Sequence, residues 1–70
     1  MVVRAPMPGT IISVNVKVGD SVKVGDVLFI LESMKIKNEI KSPQDGKIKE
    51  ILVTEGQYVK RRETLVDIEG

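Results

Sequence analysis

"ESMKIKNEI", residues 32–40, reads as two short alternating strands folded back on each other about the dipeptide Met34-Lys35. Pleat alternation sets the register. With Met34 and Lys35 as the turn, Ser33 faces Ile36, Leu31 faces Asn38 and Phe29 faces Ile40 on one side. On the other side Glu32 faces Lys37, Ile30 faces Glu39 and Leu28 faces Lys41. The first set is mostly apolar and is expected to line the core. The second is expected to face solvent, with Glu32 and Lys37 as a cross-strand ion pair. Asn38 is the misfit, a polar group on the inner side that requires a hydrogen-bond partner. The turn is itself unusual, because two-residue hairpin turns favour Asn-Gly, Asp-Gly or Gly-Gly, both central residues of the commonest type needing positive φ. A bulky pair in that place points to side chains kept for function rather than for the fold.

The hairpin sits at the centre of an internal repeat. Sliding the chain on itself by 37 positions, without a gap, sets residues 5–32 against 42–69. Identities fall at Pro6/Pro43, Gly9/Gly46, Ile11/Ile48, Val16/Val53, Gly19/Gly56, Val22/Val59, Lys23/Lys60, Leu28/Leu65 and Glu32/Glu69. Each unit is β in character: Val, Ile and Leu fill short runs, Pro and Gly punctuate them, and helical spacing never persists beyond a turn. Strands are expected over 2–4, 10–16, 27–33, 36–41, 47–53 and 64–69, with "VGDSVKVGD" and "EGQYVKRRE" as paired connecting turns. The glycines in these turns open no helix, so they supply positive φ and not a phosphate cradle. Arg62 stands where Gly25 would repeat, and that turn is expected to differ in detail. Val14, Val16, Phe29, Leu31, Ile51, Val53 and Ile68 are the expected common core.

Composition narrows the function. Seventy residues make one domain at most, 1–70, and a chain of that length buries only about 60% of its unfolded surface. No room remains for a substrate cleft with a catalytic shell. Eleven Lys and Arg balance ten Asp and Glu, and nucleic acid is not expected as a partner of so nearly neutral a chain. The chain has no Cys and no His, which removes thiol nucleophiles, disulfides, zinc sites and the usual neutral-pH base. The expectation is a non-catalytic, metal-free protein. No stretch approaches a membrane span or a signal-peptide core, so a cytoplasmic location without membrane insertion is expected.

The repeat also places the ends. Strand 2–4 is expected to pair with 64–69 as 36–41 pairs with 27–32, which puts the termini at one pole and Lys35 at the other. By the same symmetry "APMPG" (5–9) lies beside the Lys35 turn and "SPQDG" (42–46) at the terminal pole. Lys35 could be one more solvated lysine like the seven others. Three features oppose that: it lies between the repeats, it tops an exposed tight turn, and it follows a Met that gains nothing by exposure.

At these residues the sequence resembles the biotinyl domains of biotin carboxyl carrier proteins and biotin-dependent carboxylases and decarboxylases. "APMPG", "VKVGDSVKVGD", "LESMKIKNEI", "SPQDGKI" and "VTEGQYV" fall in the family's order over essentially the whole chain. The resemblance implies an all-β flattened barrel, a barrel-sandwich hybrid of two four-stranded antiparallel sheets related by a pseudo-two-fold axis. It implies Lys35 as the covalent attachment point of biotin, with Glu32, Ser33, Met34 and Ile36 as flanking recognition residues and Met7 in the neighbouring loop. Ser33 and Ile36 depart from the usual Ala-Met-Lys-Met, and no protruding thumb insertion occurs between Gly19 and Val27. A biotin protein ligase would join biotin to the lysine. The domain would then act as a swinging arm, carrying CO₂ as carboxybiotin between biotin carboxylase and carboxyltransferase partners. Tethering by the terminal pole would hold biotin near both sites at roughly millimolar concentration. Two alternatives are a lipoyl carrier of a 2-oxo acid dehydrogenase-type complex, which typically has Asp-Lys-Ala at the turn, and an unmodified efflux-adaptor sandwich, whose half-motifs are usually separated by a long insertion.

Overall fold

The computed structural model describes residues 1–70, which form eight strands and no helix. They are β1 (Val2–Arg4), β2 (Gly9–Val14), β3 (Ser21–Val22), β4 (Val27–Ser33), β5 (Ile36–Lys41), β6 (Gly46–Ile51), β7 (Tyr58–Val59) and β8 (Thr64–Glu69). They make two four-stranded antiparallel sheets, ordered β1-β8-β6-β3 and β5-β4-β2-β7. Two strands are ones that alternation does not reveal: β3 and β7, two residues each, lie inside segments read from the sequence as plain connections. β2 and β6 also stop at Val14 and Ile51, short of Val16 and Val53. Just past those ends Asn15 and Leu52 each donate one further amide bond, to the Leu28 and Leu65 carbonyls at 2.9 Å.

The two-fold relation holds at the level of single hydrogen bonds. Gly19 donates its amide to the Ile48 carbonyl and Gly56 to the Ile11 carbonyl; in return the Ile48 amide reaches the Asp20 carbonyl and the Ile11 amide that of Gln57. Asp20 and Gln57 close their turns by accepting from the backbone amides of Lys17 and Thr54 at 2.8 and 3.1 Å. The next pair of turns behaves likewise, with Asp26 accepting from Lys23 and Glu63 from Lys60, both at 2.9 Å. The expected divergence at Arg62 is not found: Arg62 takes φ 70° where Gly25 takes φ 91°, and their amides bond to Ala5 and Ser42 carbonyls at 2.8 and 2.9 Å. The turn is kept because tertiary hydrogen bonds fix its backbone, so the arginine is held in a left-handed conformation.

The β4–β5 hairpin has the expected register from Phe29↔Ile40 to Ser33↔Ile36. Beyond Phe29 it departs, because Lys41 pairs with Val27 and a bulge leaves Leu28 without an opposite number. Leu28 is therefore fully buried beside Phe29, not solvent-facing. The repeat carries the same bulge, with Arg4 opposite Thr64, Val3 opposite Val66, and Leu65 and Val66 both buried. Glu32 and Lys37 are opposite each other but form no ion pair; the chain's two ion pairs are Met1–Asp67 and Lys41–Glu39. Asn38 meets its requirement locally, its Nδ2 donating to the carbonyls of Ile36 at 3.1 Å and Leu31 at 3.4 Å.

The core joins Ala5, Ile11, Val22, Leu28, Phe29, Leu31, Ile40, Ile48, Val53, Val59, Leu65, Val66 and Ile68. Val14, Val16 and Ile51, expected inside, are half-buried against its edge, where β2 and β6 end. Gly9 is buried with the Glu32 carbonyl so close that a β-carbon would strike it. Its repeat mate Gly46 is confined in the same way, a β-carbon there falling 2.6 Å from the Glu69 carbonyl oxygen. These two contacts lay the start of β2 across the end of β4 and the start of β6 across the end of β8. Truncating Leu31 to Ala is expected to cost about 2–5 kcal/mol, and Gly9→Ala about 1–3 kcal/mol through overpacking. An unchanged denaturation midpoint in either variant would contradict this packing.

Candidate functional site: the Lys35 pole

Met34 and Lys35 have φ 52° and 65°, so both central residues of the turn are left-handed. The chain adopts the geometry that normally selects glycine or asparagine and does so with two long side chains. The pairing of Ser33 with Ile36 leaves two residues for the reversal, and the chain makes it with both of them left-handed. Neither side chain is used by the fold: Met34 is 91% exposed, and Lys35 and Ile36 are exposed as well. No carboxylate is ion-paired with the Lys35 amine, since both ion pairs lie elsewhere. The lysine is thus a primary amine at the tip of a rigid hairpin, free to be acylated without loss of any structural contact.

Behind the turn lies a shallow depression lined by Pro8, Gly9, Thr10, Glu32, Ser33, Met34, Lys35 and Tyr58. Of the residues expected to support the lysine, Glu32 and Ser33 form its wall, half-buried, and Met34 its lip. Ile36 lies just outside on β5. The loop 5–9 does reach this pole, but through Pro8 and Gly9; Met7 turns inward and packs half-buried against the core. Tyr58 is a further residue of this pole, one that the hairpin sequence does not point to. It stands on β7 opposite Thr10 and is 62% exposed beside the turn. The signal for it was a break in the repeat, since its mate at the terminal pole is Ser21.

At the far pole Gly70 lies against Gln44 and Asp45, which confirms the placement of "SPQDG" with the chain ends. Replacing Met34-Lys35 by Asn-Gly, the pair the turn geometry prefers, is expected to raise stability by about 1 kcal/mol. A lower melting temperature in that variant would show that the two side chains support the fold after all.

The sequence profile of the family described as "Biotin-requiring enzyme" matches residues 1–68. The biotin carboxyl carrier protein of Streptococcus mutans is 47% identical over 64 residues, covering 91% of this chain and 49% of that protein. The gamma subunit of glutaconyl-CoA decarboxylase from Acidaminococcus fermentans is 71% identical over 38 residues, 54% of this chain and 26% of that subunit. Among solved structures, the urea carboxylase of Kluyveromyces lactis superposes with a TM-score of 0.92 at 26% identity, over 99% of this chain and 6% of the enzyme. The chain spans about half or less of the length of each of these relatives. With one amine presented at the tip of its hairpin and a family match over nearly its whole length, the chain belongs to the biotin-requiring-enzyme family as a biotin carrier domain.

Proposed function

We propose that Lys35 is the residue to which biotin is attached and that the domain carries CO₂ within a biotin-dependent carboxylase or decarboxylase. The observation that supports this best is the turn: an unpaired lysine is held in a left-handed conformation at the tip of the hairpin, at a cost to the fold that only a use for its amine explains. A biotin protein ligase would use ATP to activate the biotin carboxyl as its acyl adenylate, and Nζ would displace AMP from the carboxyl carbon to form an amide, losing two of the three ammonium protons and the charge. Bound biotin supplies a ureido nitrogen that accepts and yields the carboxylate. The chain's own residues do the presenting. The hairpin fixes the base of the arm, Met34 and Ile36 offer apolar flanks exposed to whatever docks there, and Glu32 and Ser33 brace the turn from behind. The two chain ends lie at the opposite pole, so a connection made there would leave the lysine unobstructed.

The same reading makes the whole residue range 1–70 one carrier domain, working in the cytoplasm with biotin carboxylase and carboxyltransferase components as partners. Its likeness to a bacterial carrier protein supports this. A lipoyl carrier would share the fold, but the likeness to a biotin carboxyl carrier protein, and Met34 and Ile36 flanking the lysine where Asp and Ala are typical, favour biotin.

Selection between Lys35 and its neighbour Lys37 rests on position. One residue along a strand moves a side chain by about 3.3 Å and to the other face, and a misplacement near 1 Å can cost about a hundredfold. Lys35→Arg is therefore expected to abolish biotin incorporation with the fold intact, and the swap Met34→Lys with Lys35→Met to remain unmodified although composition is unchanged. Intact mass after incubation with a biotin protein ligase, biotin and ATP reads both outcomes. Efficient labelling of either variant would overturn the assignment.

A further inference from the structure

The internal repeat supplies a control for every residue near Lys35, because each has a mate near the chain ends. The largest imbalance of charge lies in the turn after the short strands. Lys23-Val24-Gly25-Asp26 at the terminal side carries no net charge; Lys60-Arg61-Arg62-Glu63 at the Lys35 side carries two positive charges. This second turn leaves β7, whose Tyr58 lines the depression behind Lys35, and it is bonded to Ala5, which leads into Pro8 of the same depression. Arg4 adds a third guanidinium, its Nη1 donating to the Arg62 carbonyl at 3.2 Å and to Thr64 Oγ1 at 3.0 Å; its mate Lys41 is also a cation but is paired with Glu39 at 3.8 Å. The one acid of the turn, half-buried Glu63, directs its carboxylate to the Lys60 amide. Arg4, Lys60, Arg61 and Arg62 are all exposed and none is ion-paired.

Arg62 also occupies a backbone conformation that disfavours any residue with a β-carbon, where its mate is glycine. Nothing crowds a β-carbon at Gly25, so the space would suit either residue and only the dihedral is unfavourable. The fold requires the left-handed conformation, but it requires neither the arginine that occupies it nor the charge.

We infer that Arg4, Lys60, Arg61 and Arg62 form a docking patch for an acidic protein surface on the enzyme component that takes up the biotinyl arm. The inference rests on the carrier reading of Lys35. Anything that receives the arm approaches over the hairpin and passes this edge. Acylation removes the charge of Lys35 but leaves the patch, so it can steer the loaded domain as well as the free one. Four cations on one turn and its neighbour, with no aromatic platform among them, match a small acidic rim better than a nucleic-acid backbone.

The test exchanges the turn for that of the first copy, Arg61→Val with Arg62→Gly. Binding of a decaglutamate peptide to the ¹⁵N-labelled, biotinylated domain is followed by NMR at low and at physiological salt, with coenzyme A as a second ligand. The peptide is expected to shift the amides of Arg4 and 60–63 and leave 23–26 unmoved, to bind roughly tenfold more weakly to the exchanged variant, and to weaken with salt. The variant's melting temperature is expected to hold or rise. Equal shifts at both turns, unaltered binding in the variant, or a response to coenzyme A without one to the peptide would each overturn the patch. Loss of biotin incorporation in Lys35→Arg leaves this result untouched, and the exchanged variant is expected to be biotinylated to the same final mass. The two readings therefore fail separately.

Discussion

The structure depends on a reciprocal exchange of backbone hydrogen bonds between the two copies of the repeat. The Gly19 turn of the first copy is completed by Ile48 of the second, and the Gly56 turn of the second by Ile11 of the first. Pairing of whole strands follows the same rule. β2 and β4 are neighbours in one sheet, but the outer places of that sheet go to β5 and β7 of the second copy; β6 and β8 are flanked by β1 and β3 of the first. Buried polar backbone needs partners, and each copy pairs only its two inner strands internally, leaving their outer edges to strands of the other copy. The strands that hold the core together are therefore recruited from distant sequence, and a chain this small gains cooperativity that its modest core would not supply alone.

That exchange explains how the site is made. Where one copy hands over to the other, β4 must pass directly into β5, and the in-register pairing of Ser33 with Ile36 leaves two residues for the reversal. Gly9 reinforces the constraint by seating the start of β2 on the Glu32 carbonyl, one residue below the turn. The hairpin tip is held by backbone pairing at the junction of the two copies, and its side chains are left out of that pairing. A carrier needs that combination, an amine whose base is fixed and whose arm is not.

The parts of this arrangement that follow period-two alternation were legible in the sequence. The register from Phe29 to Ser33, the inward Leu31 and the outward Glu32 all come from pleat geometry, and the placement of "APMPG" and "SPQDG" came from the repeat. The bulge at Leu28 was not legible, because "VLFIL" is apolar throughout and gives no alternation by which an inserted residue could be seen. Strands β3 and β7 are too short to carry a period. Glu32 and Lys37 show that being opposite fixes backbone distance and not the reach of two long, solvated side chains. Tyr58 is not legible from the lysine's neighbours in the chain, because it reaches the lysine in space from the other copy.

A further consequence follows from the outer strands being traded between copies. Two separate chains, each holding one copy, could make the same contacts as an isologous pair with a closed two-fold axis, every interaction present twice. Such a pair would be bound to carry the same residues at both poles. Fusing the copies into one chain breaks that obligation, so that Tyr58 can differ from Ser21 and Arg62 from Gly25 while the hydrogen bonds that define the axis stay in place. Covalent linkage thus turns a symmetric scaffold into one with a distinguishable front and back.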